Sequence, residues 1–269
     1  MNPIVFSFGP ITIYWYSLCI LIAFILGFQL AKWEIKKHIE ISNEFLYNYF
    51  FYLIPIVIFG ARLYYCIFEW KYYIGNPIEI IEIWSGGLAI HGGIIAGIIY
   101  TIFYTKKKNI NCFKFFDIAI PSLVIGQAIG RWGNFFNQEA YGPIIDLNML
   151  KQMHLPNFVI EGMFIDGAYH HPTFLYESIT CLICFIFLML LKRFYKNLKV
   201  GTLCGIYFII YGVERFFVEK LRQDSLMLCG IKVAQLVSVI MIVAGLVFLV
   251  ISHIKNIKFY DNRKKENDD

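Results

Sequence analysis

The chain has 269 residues, 58% of them hydrophobic and only 16% charged, with a formal net charge of +5. Soluble domains carry roughly 25% charged residues, so this composition excludes an ordinary water-soluble domain and fits a chain whose solvent is mostly lipid. The excess of Lys and Arg lies in short clusters between apolar runs, which excludes a nucleic-acid-binding face and points to membrane topology.

In chain order, seven apolar runs approach the roughly 20 residues that a helix needs to cross about 30 Å of hydrocarbon. They are 11–31, 45–66, 86–104, 113–129, 173–191, 200–217 and 233–251. The first follows no basic segment and no small-residue cleavage site, so it is expected to stay in the mature protein. The runs are too long for barrel strands, and only helices and closed barrels satisfy their backbone in lipid. The expectation is therefore an all-α, polytopic membrane bundle of about seven transmembrane helices. Lys32, Lys36 and Lys37 follow the first run. Lys106, Lys107, Lys108 and Lys114 separate the third from the fourth, and Lys192, Arg193, Lys196 and Lys199 the fifth from the sixth. Lys255, Lys258, Arg263, Lys264 and Lys265 follow the seventh. The positive-inside rule puts these alternate loops in the cytoplasm, the N-terminus out and the C-terminus in. Residues 1–254 then form a membrane domain and 255–269 a charged cytoplasmic tail. The long outer loop at 130–172 is expected to be functional or disordered.

The seven cysteines lie in or beside apolar runs. Cys181 and Cys184 have the spacing of a redox or zinc pair, but no second pair accompanies them, and cysteine packs as a small hydrophobe.

Ionisable residues in a span are costly and normally face a cavity or a partner. The topology brings Tyr14, Tyr16, Arg62, His91, Arg131, Glu177, Tyr211, Glu214 and Arg215 to one outer level, while Asp117 lies near an inner end. Interfacial anchoring would explain Tyr14, Tyr16 and Arg62 equally well. It explains the sixth run less well. There Tyr211, Arg215, Glu219 and Arg222 fall on one helical stripe, so that Glu219 can pair with both arginines. In the GQAIGRWGNFFNQEAYG segment, 126–142, Arg131 is followed by Asn134, Asn137 and Glu139. A guanidinium fork matches phosphate oxygens, amides add donors, and a carboxylate can orient the arginine. Gly126 and Gly130, like Gly93 and Gly97, have a spacing that lets helices approach closely.

At these residues the sequence resembles the bacterial prolipoprotein diacylglyceryl transferase family. Its Gly-Arg-x-x-Asn-Phe-x-Asn-x-Glu-x-x-Gly signature stands here as Gly130, Arg131, Asn134, Phe135, Asn137, Glu139 and Gly142. A His-Gly-Gly element stands as His91, Gly92 and Gly93, and a His-Pro-x-x-x-Tyr-Glu element as His171, Pro172, Tyr176 and Glu177. The Tyr211 to Arg222 segment also matches. Lys220 replaces the usual aromatic there, and Gln223 directly precedes Asp224 where the family has a proline.

The resemblance implies a transferase in the cytoplasmic (inner) membrane with its active site toward the outer face. It would move the diacylglyceryl group of phosphatidylglycerol to the lipobox cysteine of a prolipoprotein, releasing glycerol phosphate in the first step of lipoprotein maturation. In that scheme His91 is the base, and Arg131 and Arg215 hold the phosphate. Asn134 adds donors, Glu139 and Glu219 orient the arginines, Tyr16 and Tyr211 position the headgroup, and Arg222 completes the substrate site. No metal, cofactor or nucleic acid is called for. The scattered Asp117, Asp146, Asp166 and Asp224 argue against a metal-dependent phosphatidyltransferase. The outer placement of the polar groups and the absence of a repeat argue against an anion transporter.

Overall fold

In a computed structural model, residues 1–260 are described, apart from 10, 39, 196, 223–226, 229 and 230. The Gln223 and Asp224 departures from the family pattern lie outside the described residues. The chain begins with an antiparallel hairpin, β1 (Ile4–Phe8) and β2 (Ile11–Tyr14), and enters α1 (Trp15–Ile35). Then come α2 (Asn43–Phe68), a short α3 (Trp70–Gly75), two 3₁₀ turns (Pro77–Ile81 and Ile83–Ser85), α4 (Ile90–Lys107) and α5 (Cys112–Asn137). A region of short elements holds α6 (Leu147–Gln152), α7 (Asn157–Gly162), β3 (Phe164–Ile165) and β4 (Ala168–Tyr169). The chain closes with α8 (Thr173–Phe194), α9 (Thr202–Leu221), the small hairpin β5 (Met227–Leu228) and β6 (Ile231–Lys232), and α10 (Val233–Lys255).

Each of the seven apolar runs falls on a long helix, and the protein is all-α in its main elements. Five helices, α1, α2, α5, α8 and α10, are long and apolar enough to cross a membrane. Of the other two, α4 has 18 residues and ends in Lys106 and Lys107, and α9 carries Glu214, Arg215, Glu219 and Lys220. Two boundaries differ from expectation. Ile11–Tyr14 is a strand rather than the start of the first span, as its β-branched alternation favours. Helix α5 runs eight residues past 129, so Arg131, Asn134 and Asn137 sit on its last turns and not beyond its end.

The described residues form two compact units, 1–34 with 116–260, and 35–115. In the 35–115 unit, α2 and α4 meet backbone to backbone. A Cβ on Gly92 would stand 2.3 Å from the Gly60 carbonyl oxygen, so the small side chains permit the contact itself. Phe45, Tyr49, Tyr104 and Phe115 pack into an aromatic cluster beside it, with Tyr49 and Thr101 hydroxyls 2.7 Å apart.

In the larger unit, α9 and α10 touch in the same way through Gly205 and Gly245. The Gly126 and Gly130 pair, by contrast, leaves ordinary 4.0 Å clearances to Ala23 and Ile20; the tight approach of α5 to α1 is at Gly133, against the Tyr16 ring. Asp117 is fully buried and accepts from the backbone N–H groups of Gly201 (2.6 Å) and Cys204 (2.8 Å). It satisfies orphan donors at the start of α9. Cys181 and Cys184 are buried and unbridged.

The long loop is folded. Ile145, Leu150, Val159, Ile160, Met163 and Ile165 form a core with Phe135 of α5 and Phe174 of α8. Its backbone is pinned at both edges, with Gly142 N–H donating to His171 O and Ile145 N–H to Tyr169 O. This cap therefore sits on the end of α5 and the start of α8, the ends that carry Arg131 and Glu177. At the other end of the unit, Lys192 pairs with Glu34 at 2.9 Å, and the Tyr260 hydroxyl donates to the same carboxylate at 2.9 Å. Burial, together with Glu34, pushes the Tyr260 phenol above its ordinary range.

Candidate active site

Three helices of the larger unit bring charge to one point. Helix α5 supplies Arg131, α8 supplies Glu177, and α9 supplies Arg215 and Glu219 one turn apart. The centre is Glu177. Its Oε2 pairs with Arg131 Nε, and its Oε1 accepts from Arg215 Nη1 at 2.6 Å. Arg215 Nη2 then reaches Glu219 Oε2 at 2.8 Å. The carboxylate side chains are 3–4% exposed and the guanidinium side chains 17–19%. Buried charges persist when paired, and here the negative partners lie deep while the positive ones stay partly open. Arg131 meets Glu177 through Nε, and its side chain stays 19% exposed and so accessible to a ligand. The site presents planar cationic donors whose orientation is already fixed, which is what recognition of a phosphate or carboxylate requires.

Around this centre the expected residues are placed unevenly. Tyr16 on α1 lays its ring over Gly133, two residues past Arg131. Asn134 donates to Glu139 at 2.9 Å and Asn137 to the same oxygen at 3.4 Å. Thus Glu139 gathers the two amides, where an arginine was expected; the turn through Gln138 and Ala140, both at positive φ, aims it back at α5. Tyr211 stacks on Tyr207 with centroids 5.6 Å apart. Glu219 holds Arg215 as expected. Arg222 caps α9, its backbone N–H bonded to Glu219 O and its own carbonyl accepting from Lys232 Nζ at 2.9 Å. His91 is the second residue of α4, in the 35–115 unit; it is exposed and its ring lies 6.2 Å from that of Tyr64.

Arg62 has a different role from the other arginines. It is buried and donates to four backbone carbonyls: Ile80 (2.9 Å), Gly86 (2.7 Å), Gly87 (3.0 Å) and Glu79. It ties the 77–87 segment to α2. The residue that sequence reasoning undervalued is Glu177. Its signals were a lone carboxylate in an apolar run and its place in the His-Pro element, but nothing in the sequence showed that two arginines would share it.

Two guanidiniums on buried carboxylates, at the ends of apolar helices, make a candidate anion site in a multi-pass membrane protein. The comparisons with known proteins give the family. The model of the family described as "Prolipoprotein diacylglyceryl transferase" matches residues 3–251. The chain is 46% identical over 256 residues to the phosphatidylglycerol–prolipoprotein diacylglyceryl transferase of Staphylococcus xylosus, covering 95% of this chain and 91% of that protein. It is 42% identical over 269 residues to the protein of that name from Bacillus velezensis, covering 100% and 97%. It is 45% identical over 250 residues to that of Streptococcus pyogenes, covering 93% and 95%. The chain belongs to the prolipoprotein diacylglyceryl transferase family.

Proposed function

We propose that the chain transfers the diacylglyceryl group of phosphatidylglycerol to the lipobox cysteine of a prolipoprotein, with the phosphate held at Arg131 and Arg215. The observation that carries the site is the sharing of buried Glu177 by two partly exposed guanidiniums, Arg131 and Arg215, the second of which also meets Glu219. The reaction breaks the bond between the glyceryl carbon and the phosphate oxygen and forms a carbon–sulfur bond. The thiol loses its proton, the sulfur attacks, and glycerol phosphate leaves with the bonding electrons. A cysteine thiol has a pKa of about 8.5, so a base helps to form the thiolate; His91 is the candidate for that base. Charge on the departing phosphate grows as the bond breaks, and donors fixed beforehand stabilise it without reorganising. Asn134, Tyr16 and Tyr211 flank the arginines, and Arg222 ends the same helical stripe.

The reading places seven spans in the cytoplasmic membrane, N-terminus out and C-terminus in, with the site toward the outer face and 255–269 as a cytoplasmic tail. The Lys-rich alternate connections support it. Purified protein in phosphatidylglycerol micelles should convert a lipobox peptide into its thioether-linked diacylglyceryl form, read by mass. Transfer by Arg131→Ala as fast as by wild type would remove the phosphate role. A His91→Ala protein of normal rate at every pH would remove the base.

A further inference from the structure

Glu214, directly before Arg215 on α9, has no place in this scheme. It is 8% exposed, and neither carboxylate oxygen has a hydrogen-bond partner in the protein. A buried carboxyl without a donor costs stability. The side chain lines a narrow cleft with Thr180, Cys181, Cys184, Tyr207 and Tyr211. The Thr180 hydroxyl donates to the Tyr176 carbonyl, and the Tyr207 hydroxyl is bonded to Gln127, so neither of these two hydroxyls serves Glu214. The cleft has room for about one water-sized group. Glu214 precedes Arg215 in the chain and lines the same cleft as Tyr211. A hydroxyl of a ligand whose phosphate rests on Arg215 is of the size this cleft admits, beside an acceptor that lacks a donor.

We infer that Glu214 is a specificity residue, accepting a hydrogen bond from a headgroup hydroxyl of the lipid whose phosphate the arginines hold. This rests on the proposed function and adds to it a reason to choose a polyol headgroup. The same acidic acceptor offers nothing to a headgroup of the same length without hydroxyls, and an unpaired buried polar group is what rejects such an analogue.

The test compares phosphatidylglycerol with phosphatidylpropanol, which has the same three-carbon headgroup and no hydroxyls, as donors to one lipobox peptide in one enzyme sample. The ratio of the two kcat/KM values is independent of how much protein is folded. Wild type should favour phosphatidylglycerol by about tenfold, the upper scale of one ordinary hydrogen bond. Glu214→Ala should bring the ratio close to one, mainly through KM, and Glu214→Gln, which keeps an acceptor oxygen, should retain about threefold. A wild-type ratio near one, or a ratio unchanged in Glu214→Ala, overturns the inference while leaving the transferase reading intact. Better wild-type transfer from phosphatidylethanolamine than from phosphatidylglycerol, lost in Glu214→Ala, overturns it in favour of an ammonium. Transfer from none of the lipids overturns the function and the inference together.

Discussion

Arg62 and Arg131 have the same chemistry and stand at the same predicted level in the chain, yet the protein uses them in opposite ways. Arg62 is wrapped by the carbonyls of Glu79, Ile80, Gly86 and Gly87. Its donors are consumed by backbone, which has no charge to share and nowhere to go. Arg131 meets one carboxylate through Nε, and its side chain stays 19% exposed. A guanidinium saturated by carbonyls is a structural clamp; one anchored by a carboxylate and still partly open is the proposed receptor. The anchoring group, more than the burial, separates the two roles.

The comparison can be broken most severely at Glu177. Replacing it with Ala leaves two partly exposed guanidiniums without their shared partner, Arg215 keeping only Glu219, a loss of about 3 kcal/mol, the low end for breaking a buried pair. Its melting midpoint in detergent should fall well below wild type, and transfer should vanish. Arg131→Ala comes next, with the larger loss falling on rate: about 3 kcal/mol on the barrier, or about a hundredfold in kcat/KM, and a smaller drop in melting midpoint than Glu177→Ala because Glu177 keeps Arg215. Arg62→Ala should show the converse. It removes the donors of four partly buried carbonyls, a loss of about 1–3 kcal/mol in total, so the melting midpoint drops while the rate per folded molecule is retained. A folded Arg62→Ala protein with a hundredfold slower rate would erase the distinction. The mildest case is Asp117→Ala. Asp117 is the mirror of Arg62, a carboxylate satisfied by backbone N–H groups at the start of α9. Its loss should cost about 1–2 kcal/mol, as for a helix cap, seen as a small shift in the same midpoint.

The sequence carried the helices well because hydrophobic length is a strong signal in a membrane protein; every apolar run lies on a helix. It misjudged Ile11–Tyr14, where β-branched residues adopt a strand although they are apolar enough to continue a span. The end of α5 was missed because Arg131, Asn134 and Asn137 read as a polar loop, whereas they lie on the last turns of a helix whose Phe135 packs into the cap. The stripe from Tyr211 to Arg222 was legible because helical periodicity is a one-dimensional rule. The sharing of Glu177 was not, since it depends on three helices meeting, and neither was the pairing of Glu139 with amides, which depends on a turn with two residues at positive φ.

The Glu34 clasp has a practical consequence for handling the protein. Phe259 is fully buried, its backbone N–H donates to Leu198 O, and Lys192 lies 5.6 Å from its ring. Tyr260 then closes over Glu34. A shortened chain ending at Lys255 would strip this cover from a buried ion pair and expose Lys192 and Glu34 to water. An affinity tag or fluorescent fusion is therefore better joined beyond residue 260, where the clasp stays whole, than at the apparent end of the last helix.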